Sequence, residues 1–160
     1  MDEQELTRLV EKFSGTVYRA AYCCLRNSAD ADDITQDAFL ALYTSGVEFT
    51  GDEHIKAWLI RVAINRSRNL LRSFRYRTTV PLEEAGELPA EPEHRDSLLP
   101  EIMRLSQKHR IVLYMFYYED MPIKEIAEVL GEKTTAVTTR LSRARQQLKQ
   151  LLIKEGYDEY

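Results

Sequence analysis

Apolar residues in this chain return at steps of three and four rather than two, and that period commits most of it to amphipathic helix. Leu6, Leu9, Val10, Phe13, Val17, Ala20, Ala21 and Cys24 trace one face of a first helix. Ser28 is placed to cap a second, whose first turn gathers Asp30, Asp32 and Asp33 at the positive end of its dipole and whose inner stripe is Ala31, Ile34, Ala38 and Leu42. That helix should end near Ser45-Gly46. After a loop from Val47 to His54, the stripe Ile60, Ala63, Ile64, Ser67, Leu71, Phe74 carries a third helix to about Arg77. Only 6 Gly and 5 Pro occur in 160 residues, too few turn formers for the closely spaced short strands of a sandwich or barrel. The expected fold is all-α.

The helical period fails once, from Thr78 to Arg95, where three prolines and a glycine sit among acidic residues. This reads as a linker between two small domains. Beyond it, Pro100 suits the first turn of a helix ending around Ser106, Lys108 to Tyr118 forms another, Pro122 opens a short one that stops at Gly131, and a last helix runs from Thr134 to Lys154. The longest wholly apolar run, Ile111 to Tyr118, is far too short to span a bilayer. With an opening Met1-Asp2-Glu3-Gln4-Glu5 that lacks leader character, no membrane insertion and a cytoplasmic location are expected. Cys23 and Cys24 are adjacent and could join only in a strained vicinal bridge, so they read as reduced thiols used for packing.

A net charge of −4 hides a sharp division. Residues 1–55 hold 11 acids and 4 bases, residues 56–77 hold 7 bases and no acid, residues 78–101 hold 7 acids and 1 base, and Lys133 to Lys154 holds 6 bases and no acid. Two basic stretches separated by an acidic one suit two polyanion-facing surfaces on a chain that is otherwise acidic enough to avoid indiscriminate binding.

Each basic stretch carries its own pattern. Ile126, Ala127, Leu130, Gly131, Val137 and Leu141 have the spacing of a helix-turn-helix, in which a small Ala lets the helices cross closely and Gly closes the turn. On the last helix Val137, Leu141, Ala144 and Leu148 face inward, leaving Thr135, Thr138, Thr139, Ser142 and Arg143 outward. Hydroxyls reach base edges and Arg grips phosphate, which is what a helix in the major groove needs. Lys133 stands where a capping Ser is usual, so Thr134 is expected to cap instead. On the third helix Arg61, Asn65, Arg68 and Arg72 share the face opposite the apolar stripe, with Trp58 and Tyr76 beside them. Bases interleaved with aromatics and an amide suit a strand whose bases can be stacked or captured.

With these patterns in view, the chain resembles bacterial sigma factors of the small, two-domain extracytoplasmic-function type in the sigma-70 family. Asp30-Ala31-Asp32-Asp33-Ile34-Thr35-Gln36-Asp37-Ala38-Phe39 is similar to the family's second-helix signature, with Asp32 where Glu is commoner. Trp58-Leu59-Ile60-Arg61-Val62-Ala63-Ile64-Asn65 resembles its promoter-melting helix, and Glu125-Ile126-Ala127 with Leu130-Gly131 and Arg140-Leu141-Ser142-Arg143-Ala144-Arg145 its C-terminal reader. The resemblance implies a three-helix region 2-like domain over 1–77, an acidic flexible linker over 78–97 and a four-helix region 4-like domain over 98–160. It further implies that Asp33, Gln36, Asp37 and Leu40 dock on the clamp helices of core RNA polymerase, whose flap is a second contact. Phe49, Gly51, Asp52, Trp58, Arg61, Asn65, Arg68 and Arg72 would meet the melted strand of the minus-ten element, part of them as a pocket for a flipped base. Thr134, Thr135, Thr138, Thr139, Ser142 and Arg143 would meet duplex DNA at the minus-thirty-five element, with Ala136 standing where many relatives have Thr. An anti-sigma factor is the further implied partner.

Catalytic chemistry is not written in the chain. His54, His94 and His109 are scattered without zinc-site spacing, there is no Gly-rich phosphate loop, and no Ser or Cys has an identifiable base. No catalytic residue, metal or cofactor is expected, and His109 reads as a surface or helix-start residue. Two other functions fit the same helices: a helix-turn-helix regulator that binds duplex DNA as a dimer, and a helical signalling or adaptor protein without DNA contact. A dimeric regulator needs a self-complementary interface and a palindromic site. The chain offers a second basic helix and a docking face in their place.

Overall fold

The computed structural model describes residues 1–73 and 98–154 together with Gly156. Every regular element among them is helical, and the chain divides into two compact units, Met1–Pro89 and Ala90–Tyr160. The expected linker over 78–97, and the Phe74, Tyr76 and Arg77 end of the third helix, lie outside the described residues.

The first unit is built from α1 (Glu3–Leu25), α2 (Ser28–Thr44) and α3 (Asp52–Arg72), each packed on the other two. Asp2 caps α1 by accepting from the Glu5 N–H at 2.8 Å. Asn27, not Ser28, caps α2: its backbone is extended and its Oδ1 accepts from the Asp30 N–H at 2.9 Å, so Ser28 is already the first helical residue. Leu9, Val17, Leu42, Leu59 and Ile64 are essentially closed to solvent. Burial on this scale is worth about 1.5 to 3 kcal/mol for each such side chain. Cys23 and Cys24 are buried in the same unit and are not joined in a disulfide. The third helix starts at Asp52, so Asp52, Glu53 and His54 form its first turn instead of belonging to the loop, and it stops at Arg72 because Ser73 turns extended.

In the second unit, α4 (Leu99–Ile102) is a single turn that gives way to bends before Ser106, shorter than the expected helix, although Pro100 does sit in its first turn. The expected helix over Lys108 to Tyr118 is two things: α5 (Gln107–Leu113), then a π-helical turn over Tyr114–Tyr118 in which Glu119 N–H reaches back to the Tyr114 carbonyl at 3.1 Å. Apolar spacing cannot see that change, because it falls inside the wholly apolar run from Ile111 to Tyr118. Helix α6 (Ile123–Leu130) ends in a Schellman motif: Gly131 takes the left-handed conformation, its N–H reaching the Glu128 carbonyl while the Glu132 N–H reaches Ala127. Helix α7 (Thr134–Lys154) follows. Lys133 gives its carbonyl to the Val137 N–H, so it holds the cap position and Thr134 lies inside the helix, contrary to the expected cap.

Candidate nucleic-acid interface

Helix α7 separates its two faces cleanly. Val137, Leu141, Ala144, Leu148 and Leu152 are buried, while Thr134, Thr135, Thr138, Thr139, Ser142 and Arg143 are all exposed. Thr138 and Thr139 donate their hydroxyls back to the carbonyls of Thr134 and Thr135, at 2.9 and 3.0 Å. In this rotamer the hydroxyls present lone pairs outward, which suits acceptance from a base amino group. Two arginines of the basic run are engaged within the unit: Arg140 pairs with Glu132 at 2.8 Å, and Arg145 lies over the rings of Phe116 and Tyr117 while its Nε meets the Tyr117 hydroxyl. Arg143 stays exposed. Between the start of α5 and the first turns of α7 lies a cleft of about 410 Å³, lined by Lys108, His109, Thr135, Ala136, Thr139, Arg140 and Arg143. Burial first, then the charges of Lys108, Arg140 and Arg143, hold His109 below the ordinary histidine value.

On α3, at about 100° per residue, Trp58, Arg61, Asn65, Arg68 and Arg72 fall within an arc of about 80°. Trp58, Arg61, Asn65 and Arg68 are half-buried and Arg72 is exposed, as a face rooted in the unit and open at its tips would be. Phe49 stands edge-on to both Trp58 and His54, with ring centroids 5.7 and 5.0 Å apart, and the His54 Nδ1 accepts from the Thr50 N–H at 3.1 Å. The loop is thereby folded back over the first turns of α3. Gly51 is exposed at its end, with nothing within 4 Å of where a Cβ would be.

Asp52 differs from the other expected strand contacts. Its carboxylate takes two hydrogen bonds from Arg8, at 2.9 and 3.0 Å, and one from Lys12 Nζ at 2.7 Å, while Arg8 also holds Glu5 at 2.7 Å. The Arg8 and Lys12 hydrogen bonds keep this carboxyl well below the usual carboxylate range. A carboxylate so engaged ties α1 to the start of α3 and offers nothing to a phosphate. Sequence spacing missed it because the partners lie 44 and 40 residues apart.

On α2, Asp33, Gln36 and Asp37 are exposed beside Leu40, an apolar side chain left 64% open although the opposite face of its helix is buried. Tyr43, 39% exposed and one turn beyond Leu40, extends this apolar patch, and Val47 in the loop that follows is 45% exposed; sequence spacing singles out neither. Among the described residues no helix is long and apolar enough to cross a membrane.

Comparison with known proteins places this geometry in context. Residues 9–77 match the family described as Sigma-70 region 2, and residues 95–148 the one described as Sigma-70, region 4. The chain is 30% identical over 142 residues to the RNA polymerase sigma factor SigV of Bacillus subtilis, covering 86% of this chain and 85% of that protein. It is 29% identical over 154 residues to the ECF RNA polymerase sigma factor SigM of Mycobacterium tuberculosis, covering 94% and 79%. Among solved structures it is similar to CnrH in complex with the cytosolic domain of CnrY, at 26% identity and a TM-score of 0.64, covering 97% of this chain and 92% of the other.

Proposed function

The chain belongs to the sigma-70 family of RNA polymerase sigma factors, in its extracytoplasmic-function group, and we infer from that membership how its two units divide the work of starting transcription. As a sigma factor it binds core RNA polymerase, directs it to specific promoters and promotes opening of the duplex; bond-making belongs to the polymerase. The first unit serves polymerase docking and the minus-ten element. Asp33, Gln36, Asp37 and Leu40 form the docking face, toward the clamp helices, and Tyr43 extends it. Phe49, Gly51, Trp58, Arg61, Asn65, Arg68 and Arg72 receive the melted strand, aromatic rings against bases and guanidinium groups against phosphates. Asp52 acts from behind them, as an anchor.

The second unit reads the minus-thirty-five element as duplex. Thr134, Thr135, Thr138, Thr139 and Ser142 meet the major groove, Arg143 meets the backbone, and the same unit contacts the polymerase flap. One observation carries this division: the matches to region 2 and region 4 fall in order on separate units, each with a closed core and its own exposed polar face. The acidic segment over 78–97 joins them. Partnership with polymerase places the protein in the cytoplasm. CnrH's complex with the cytosolic domain of CnrY supports a protein inhibitor of the anti-sigma kind as a further partner.

Reconstitution with core polymerase on genomic promoter fragments tests the reading. Specific run-off transcripts that depend on this chain are expected. Binding to a palindromic duplex by a dimer, with no polymerase-dependent transcript, would return the chain to the free-standing regulators.

A further inference from the structure

The cleft beside α7 has a wall that the reading helix does not supply. Lys108 and His109 come from α5, Arg140, Arg143, Thr135 and Thr139 from α7, and no acidic side chain lines it. Glu132 Oε1 lies 2.8 Å from Arg140 Nη2 and offsets that one charge. We propose that Lys108 and His109, together with Arg143, form a seat for a phosphate group. A concave site bordered by cations from two helices lets one anion meet several donors at once, whereas cations on a convex helix face spread apart.

His109 gives the seat its chemistry. Its Nδ1 lies 3.2 Å from the Ser106 hydroxyl. When that hydroxyl donates to Nδ1, the ring's own hydrogen sits on Nε2 and can be given to a phosphate oxygen. The charged groups acting on the ring are Lys108, Arg140 and Arg143, all positive, and with burial they favour its neutral form. An arriving phosphate offsets that repulsion. The ring then takes a proton at Nδ1, the Ser106 hydroxyl turns to accept from it, and the seat gains a cation only once it is filled. Filling is thus coupled to proton uptake, and affinity rises as pH falls toward the free protein's own midpoint.

The phosphate has two possible sources, a promoter backbone or a free phosphate compound, and the first rests on the reading of α7 given above. Because the cleft shares Thr139 and Arg143 with the reading face, a phosphate of bound duplex is the source we commit to. The test follows the His109 ring by nuclear magnetic resonance in the full chain across pH: alone, with inorganic phosphate, and with duplex from a promoter transcribed in the reconstituted system. Both additions should raise its midpoint, and duplex affinity should improve about tenfold from about pH 7.5 to about pH 5.5. His109→Gln should flatten that dependence, and Lys108→Ala should reduce the salt slope by about one while leaving the ratio of matched to scrambled affinity unchanged. If inorganic phosphate raises the midpoint while duplex does not, the seat stands and its occupant is a free phosphate compound. If the chain neither binds duplex nor supports transcription, yet phosphate still raises the midpoint, the DNA reading fails and the seat survives. A midpoint unmoved by both additions overturns the proposal.

Discussion

Asp52 illustrates how one side chain can belong to a site without touching its ligand. The carboxylate accepts from Arg8 and Lys12 of α1 and so fixes where α3 begins, which in turn fixes the Phe49 loop folded over Trp58 and His54. Its folded-state carboxyl lies below the ordinary range, so the contribution is present through neutral and mildly acid pH and fades only as strong acid protonates it. Asp52→Arg alone should impair promoter opening, and adding Arg8→Asp should restore part of it, read by permanganate footprinting at matched helix content. An equal loss in single and double variants would mean that the pairing does no positioning. On α7 the contrast is between reading and holding. Thr139→Ala should cost about 1 to 3 kcal/mol on the matched upstream element and little on scrambled duplex, while Arg143→Ala should weaken both and lower the salt slope by about one. Competition binding on the two duplexes at several salt concentrations separates them. The Thr139 face was legible from spacing alone; the Asp52 anchor was not, because no local rule connects Asp52 to Arg8.

At the scale of elements, periodicity located most helices and misjudged their ends. Helix α7 begins and stops as expected, since Gly131 and the basic, apolar-striped run after it are strong signals. At other boundaries spacing does not choose between neighbouring residues: Asn27 caps α2 in place of Ser28, and α3 begins at Asp52, inside the expected loop. The π-helical turn was invisible for another reason, since Tyr114, Met115 and Tyr118 are all buried and a uniformly apolar run carries no phase. The consequence for α3 concerns strand against duplex. Arg61→Ala with Arg68→Ala should slow transcription from a linear promoter by about tenfold or more and from a pre-melted one far less, because the face is assigned to opened DNA. Run-off assays on the two templates decide it, and equal loss on both would assign these side chains to general affinity.

For the whole molecule, charge is informative only after division: a net −4 gives no hint of polyanion binding, whereas the two acid-free basic stretches fall one in each unit. Leu40 is legible as an outward residue, and Tyr43, one turn on, adds to its patch only because the fold leaves that ring exposed as well. Reversing the acids beside that patch, Asp33→Arg with Asp37→Arg, should leave the circular dichroism unchanged and weaken capture by core polymerase about tenfold or more, measured by co-purification and competition with the unaltered chain. Unchanged capture would remove α2 from the docking surface. The closed core of each unit also bears on cooperativity. Calorimetry of the free chain should resolve two melting transitions in place of one. Ser67→Ala probes the assignment, because the Ser67 hydroxyl is fully buried in the first unit with no hydrogen-bond partner. Removing it should raise the transition of that unit by a few degrees, about 1 kcal/mol, and leave the other in place. A single melting temperature would then describe neither half of the protein. A partner gripping both units would show itself as a merging of the two transitions before any activity is measured.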